Sequence, residues 1–204
     1  QGNFLPPAEF PIVDGTGPQP FLVADFDSDG YPAVLVLGLH GMFLYSGDGA
    51  GKLRPGRQTN IGVELIAYAA ATADFNRDGH PDLIISSVSG PGVRVFLGDG
   101  QGQFTEVPEA LSGIPTSYGA ARFQIADFNG DSIPDFAFSS DSGKALQVAT
   151  GDGQGHFQIS VTLPLTPDER GVSLVAGDWN GDGFPDLAAI SSSVVLGRLL
   201  PNGI

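Results

Sequence analysis

The chain has 204 residues, a formal charge of −14 and only nine Lys and Arg, too few to track a phosphate backbone, which argues against a nucleic-acid partner. A hydrophobic content of 41% can build a core, no apolar run reaches the roughly 18 residues of a membrane span, and the absence of cysteine excludes disulfides. Gly 30 and Pro 16 describe short strands punctuated by turns, and the length suits one β domain over residues 1–204.

In chain order, Gln1-Gly2-Asn3-Phe4 matches Gln101 to Phe104 and Gln154 to Phe157, so the chain opens in the phase of an outer strand. An apolar strand, Phe21-Leu-Val-Ala, then enters the acidic loop DFDSDGYPA at 25–33. A second strand (Ala33-Val-Leu-Val-Leu), a third (from Gly41) and a glycine-rich turn (47–51) follow, and a fourth strand opens at Leu53. The unit recurs with first strands at Ala70, Phe123 and Leu174 and with loops at 74–82 (DFNRDGHPD), 127–135 (DFNGDSIPD) and 178–186 (DWNGDGFPD). Third strands recur from Val93, Ala145 and Val194, GDGxG turns at 98–102 and 151–155, and fourth strands from Phe104 and Phe157.

The spacings between first aspartates are 74 − 25 = 49, 127 − 74 = 53 and 178 − 127 = 51. A period near 50 without helical periodicity, at four strands per unit, predicts an all-β propeller with four blades in this chain. The distance around the termini, 204 − 178 + 25 = 51, is another period, so the N-terminal strand is expected to complete the last blade. Donation of that strand to a neighbouring subunit is the rival expectation. The small residue before each loop (Ala24, Ala73, Ala126, Gly177) suggests crowding near an axis. The aromatic after the first aspartate (Phe26, Phe75, Phe128, Trp179) should pack between blades.

Each loop places oxygen-bearing side chains at positions one, three and five: Asp25, Asp27, Asp29; Asp74, Asn76, Asp78; Asp127, Asn129, Asp131; Asp178, Asn180, Asp182. Three loops add a ninth-position aspartate, Asp82, Asp135 or Asp186. With the seventh-position backbone carbonyls of Tyr31, His80, Ile133 and Phe184, this is an all-oxygen donor set. It suits calcium, which takes six or more oxygens at about 2.4 Å, ahead of magnesium, which demands a tighter octahedron and keeps more water. An EF-hand is excluded, because the twelfth positions (Val36, Ile85, Phe138, Ala189) cannot ligate and the eighth-position prolines lead into strands. Twelve of the 23 acidic residues lie in these loops, and four divalent cations would reduce the charge from −14 to −6.

The four loops with their Pro-Asp endings and the three GDGxG turns resemble the FG-GAP/VCBS repeat family, the blades of integrin α-subunit propellers and of many secreted bacterial proteins. The resemblance covers essentially the whole chain. It implies a calcium-binding propeller outside the cell, used for adhesion or recognition of a glycan or protein. Two departures stand out. Ala33 replaces the ninth-position aspartate of repeat one, so that site is expected to be the weakest of up to four. Ser132 replaces the sixth-position glycine of repeat three. Family propellers have about seven blades. Four repeats therefore imply a closed four-bladed ring, a dimer of eight blades or part of a larger ring, and the integral repeat count favours the first two.

His40, His80 and His156 fall at unrelated points of the repeat, and the GDGxG turns join strands rather than cradle phosphate. Carboxylates paired only inside cation loops stay ionised, unlike the acid of a glycosidase, so no enzyme is expected. Tyr68, Tyr118, Arg94 and Arg122 do not follow the repeat and are the candidate partner-binding residues. The expectation is a bacterial, extracellular recognition propeller. An accessory domain of a larger secreted polysaccharide-processing enzyme and a self-assembling, filament-like subunit are the alternatives.

Overall fold

The computed structural model describes residues 20–39, 41–54, 56–59, 66–87, 92–112, 123–139, 145–164, 173–190 and 194–197. Among them there is no helix, and the strands form four sheets. Sheet one is an antiparallel meander of β1 (Phe21–Ala24), β2 (Ala33–Gly38), β3 (Gly41–Tyr45) and β4 (Arg57–Thr59). Sheet two repeats it with β5 (Ala67–Ala73), β6 (Asp82–Ser87), β7 (Val93–Gly98) and β8 (Phe104–Glu106). The third sheet has β10 (Gln124–Ala126), β11 (Asp135–Ser139), β12 (Ala145–Gly151) and β13 (Phe157–Pro164) in the same order, with β9 (Leu111–Ser112) added parallel to the outer edge of β13. Sheet four holds β14 (Ser173–Gly177), β15 (Asp186–Ile190) and β16 (Val194–Gly197).

The sheets pack face to face through three apolar layers. Because strand side chains alternate, Leu35, Leu37, Met42 and Leu44 of sheet one meet Leu83, Ile85, Phe96 and Phe104 of sheet two. Ile84, Val93 and Val95 turn the other way, toward Phe136, Phe138 and Phe157 of sheet three. Ala137, Leu146 and Val148 close the third layer against Leu174, Leu187 and Ala189. First strands neighbour one another, β1 with β5, β5 with β10 and β10 with β14, which gives a propeller-like arrangement.

The loop aromatics do what their position predicts in three repeats. Phe26 meets Phe104 of the next sheet edge-on at 5.8 Å, Phe75 meets Phe157 at 5.3 Å, and Phe128 is buried in the third layer. Trp179 departs from this: its indole lies over Gly177, and it is 54% exposed where the three phenylalanines are 2%, 1% and 4%.

Repeat one also differs at its fourth strand. Leu53 makes only an isolated bridge to Gly47, and regular pairing starts at Arg57, opposite Leu44. Pro55 and Gly56 intervene in the sequence, and proline has no N–H to give a ladder. The expected N-terminal closing strand lies outside the described residues. So do His40, Tyr118 and Arg122.

Candidate metal centre

Each acidic loop joins the first strand of a sheet to its second and is built as a nested turn. The first-position carboxylate accepts the N–H of positions five and six: Asp29 and Gly30 on Asp25 (3.1 and 3.0 Å), and Asp78 and Gly79 on Asp74 (3.1 and 2.9 Å). Asp127 takes the N–H of Gly130, Asp131 and Ser132, and Asp178 those of Gly181 and Gly183. The fifth-position carboxylate then accepts the N–H of position seven, from Tyr31, His80, Ile133 and Phe184 in turn. Aspartate at these positions thus folds the loop as well as charging it.

The turn demands positive φ at positions four and six. Position four is Ser28 (φ 52), Arg77 (φ 63), Gly130 and Gly181; position six is glycine except for Ser132 (φ 65). A Cβ at the equivalent Gly30, Gly79 or Gly183 would meet nothing within 4 Å, so the cost at Ser132 is conformational. Ser132→Gly is expected to stabilise the protein by about 1 kcal/mol, read as a rise in the urea midpoint at unchanged m-value.

The ninth-position aspartates point inward and are buried. One oxygen of Asp82 accepts the N–H of Phe75 (2.8 Å) and Asn76 (3.2 Å), and the other that of Gly98 (2.8 Å), the first glycine of the GDGxG turn. Asp135 spans Phe128 (2.9 Å) and Gly151 (2.9 Å) in the same way, and Asp186 accepts from Trp179 at 3.0 Å. Burial pushes the carboxyls of Asp82 and Asp135 up to about 6, against the pull of those N–H donors. Gly98 must be glycine to come this close, since a Cβ there would collide with the carbonyl oxygen of Pro81. This clamp between two turns was missed by sequence reasoning; its only trace is that the loop aspartate and the first turn glycine keep a constant spacing of 16 residues.

Third-position residues divide the loops. The Asn76 amide donates to Asp78 (2.8 Å), the Asn129 amide to Asp131 (2.8 Å), and the Asn180 amide to both oxygens of Asp186 (3.3 Å). Asp27 has no such donor. Carboxylate oxygens of Asp25, Asp27 and Asp29 lie within 4.8 Å of one another, and Ser46 donates its hydroxyl to Asp27 Oδ2. Asp27 Oδ1 is buried without a hydrogen-bond partner, and Arg54 stands 4.0 Å from Asp29. An orphaned carboxylate oxygen beside two others is a donor set that fits a hard divalent cation. Ser46 is a further residue of this site that carries no signal in the sequence.

Successive loops touch. Ser28 Oγ lies 3.2 Å from His80 Nδ1, the Arg77 chain runs beside Ile133 at Gly153, and the Phe184 ring covers Gly130. The loops therefore form a belt along one end of the sheets. Of the partner-binding candidates, Tyr68 is 51% exposed on β5. Arg94 is buried, forked onto Glu106 (Nε to Oε1 2.6 Å) and stacked over Phe96 at 5.1 Å. His156 sits 3.3 Å from Asp152 in an open cavity of about 440 Å³ that Thr150 and Gln158 also line.

Repeated antiparallel sheets, each entered through an acidic Asx-type loop, define a propeller-like class of repeat β protein. The FG-GAP-like repeat family matches residues 25–85, 74–138 and 127–189, and the chain belongs to that family. It is 31% identical over 150 residues to human phosphatidylinositol-glycan-specific phospholipase D, covering 60% of this chain and 18% of that protein. It is 28% identical over 154 residues to human integrin alpha-7, covering 67% of this chain and 13% of the integrin. The chain thus spans less than a fifth of these relatives. Its fold is similar to that of an Agrocybe aegerita lectin described as recognising non-reducing terminal N-acetylglucosamine, with a TM-score of 0.63 at 22% identity over 89% of this chain and 51% of the lectin.

Proposed function

We propose that this chain is a non-enzymatic, calcium-binding propeller that works outside the cell, in a bacterial setting, and recognises a glycan or a protein. Its four sheets serve as blades, with the N-terminal strand completing the last. The observation that carries the cation reading is the orphaned Asp27 Oδ1 within the Asp25, Asp27, Asp29 cluster; the three further loops share its turn and its acidic first and fifth positions. The side chains that would hold calcium are Asp25, Asp27 and Asp29; Asp74, Asn76, Asp78 and Asp82; Asp127, Asn129, Asp131 and Asp135; and Asp178, Asn180, Asp182 and Asp186. The carbonyls of Tyr31, His80, Ile133 and Phe184 would join them. Calcium would supply a fixed positive charge that neutralises each loop and ties its turn. The oxygens of Asp82 and Asp135 that accept a single backbone N–H keep a second lone-pair site available for the ion.

Partner recognition is supported by the integrin and lectin likenesses and by exposed apolar side chains on three of the first strands, Phe21 and Val23 of β1, Tyr68 of β5 and Val175 of β14. No helix among the described residues is long and apolar enough to cross a membrane. A second reading is an accessory domain of a larger secreted polysaccharide-processing enzyme; the match to a small part of a phospholipase D favours the part of it that places this chain within a larger enzyme.

Thermal melting and sedimentation in calcium and then in excess chelator test the proposal. Each site held at 100 times its Kd stabilises by about 2.7 kcal/mol, so melting is expected to fall steeply on chelation while the calcium-loaded chain sediments as a monomer. An unchanged melt would sink the calcium reading, and a dimer or polymer would move the function to self-assembly. Calcium-dependent signal on a glycan array supports the recognition reading.

A further inference from the structure

The four loops share a consensus but not a state, and the difference lies in the third residue. Every loop has three carboxylates: Asp25, Asp27 and Asp29; Asp74, Asp78 and Asp82; Asp127, Asp131 and Asp135; Asp178, Asp182 and Asp186. In loops two to four one of the three is the ninth-position aspartate, turned inward and holding backbone N–H groups. In those same loops the asparagine amide puts an N–H donor on a neighbouring carboxylate, Asp78, Asp131 or Asp186. Part of the negative field that would draw a cation is therefore already answered by the protein.

Loop one reverses both features. Ala33, fully buried, removes the inward carboxylate, and Asp27 returns a third one to the outer cluster. No amide is present to donate, Ser46 satisfies only Oδ2 of Asp27, and Oδ1 stays buried and unpartnered. Like charges held this close repel, and a cation is the group that relieves them.

We infer that loop one is the primary cation site of this chain, filled before the three asparagine-bearing loops, so that the position-three Asp27 more than replaces the carboxylate lost at Ala33. This rests on the calcium reading above and reverses the order that counting ninth-position aspartates predicts. Affinity in such loops is set by ligand charge and rigidity, and one more converging carboxylate with no competing amide corresponds to roughly a tenfold lower half-saturation.

The chain carries its own reporters. Tyr31 sits at the seventh position of loop one, and Trp179 at the second position of loop four. Terbium, a calcium surrogate that luminesces when a nearby aromatic transfers energy, can be titrated into the metal-free full chain. Tyr31→Phe identifies the loop-one signal and Trp179→Phe the loop-four signal. The Tyr31-dependent emission is expected to half-saturate at about tenfold lower terbium than the Trp179-dependent emission. Asp27→Asn, which gives loop one the residue that loops two to four already tolerate, should bring the two curves together. Asn180→Asp should move the Trp179 curve to lower terbium, and an unchanged Trp179 signal in Asp27→Asn shows that the variant is folded. A Tyr31 curve at or above the Trp179 curve, or one indifferent to Asp27→Asn, overturns the inference and leaves the cation reading standing. A Trp179-dependent signal without a Tyr31-dependent one likewise overturns the inference alone, and absence of emission from both reporters overturns both readings.

Discussion

Phe75→Ala is expected to lower stability by about 3–5 kcal/mol, whereas Trp179→Ala, the same change at the same position of the repeat, should cost under about 1 kcal/mol. Phe75 is 1% exposed and stands edge-on to Phe157, between sheets two and three. Its removal leaves a cavity in a layer that also holds Phe136 and Phe123, whose rings are fixed by mutual contact at 5.8 Å and cannot collapse inward at little cost. Trp179 is the larger side chain but is 54% exposed and rests on Gly177, so most of its surface is already in water. Urea unfolding of both variants in calcium checks the contrast. Equal losses would mean that Trp179 is covered in solution as the phenylalanines are, by a surface that packs on it.

That contrast shows what the sequence could convey. A loop aromatic followed 78 or 82 residues later by the phenylalanine it packs against (26 to 104, 75 to 157) can be read from the period, because repeat symmetry turns a distant contact into a local rule. The third strands begin at Gly41, Val93, Ala145 and Val194, where the alternation places them. What escaped the reading are features of one repeat alone or of groups distant along the chain. Arg57 rather than Leu53 starts regular pairing in sheet one, and the sequence there, with its proline, departs from a rule built from the other repeats. The parallel addition of Leu111–Ser112 to β13 lies in a linker, and among the described residues no other sheet has such a strand to compare. In the loops, residue identity revealed the acidic and amide side chains but not their orientation. Asp82 and Asp78 look alike in a ligand list, yet one is buried against two turns and the other faces solvent. Ala33 reads as a loss by ligand count alone, and the asparagine amides of the other loops, which donate to neighbouring carboxylates, are not legible from residue identity.

Asp82→Ala is the decisive test of that orientation, because it should destabilise the protein with no cation present. In excess chelator the expected loss is about 2–4 kcal/mol, against about 1 kcal/mol or less for Asp78→Ala. Removing Asp82 orphans the buried N–H of Phe75 and of Gly98, at about 1–3 kcal/mol each. Relief of the burial that raises the carboxyl to about 6 returns part of this. The sign of that shift gives a second readout. A carboxyl at about 6 in the fold and 3.8 when free binds its proton more tightly in the native state. Its contribution is therefore fully present below 3.8 and is lost as pH rises through 6. The chelated wild-type chain should accordingly melt higher at pH 5 than at pH 7, with Asp135 adding in the same direction, and Asp82→Ala should flatten that difference. A ninth aspartate that only ligated metal would do neither: its alanine variant would match the wild type in chelator, and all of its cost would appear as lost calcium affinity. Both roles fit one residue, since the N–H groups and a cation approach different lone pairs of the same carboxylate. The chelator experiment separates the share that belongs to the fold from the share that belongs to the ion.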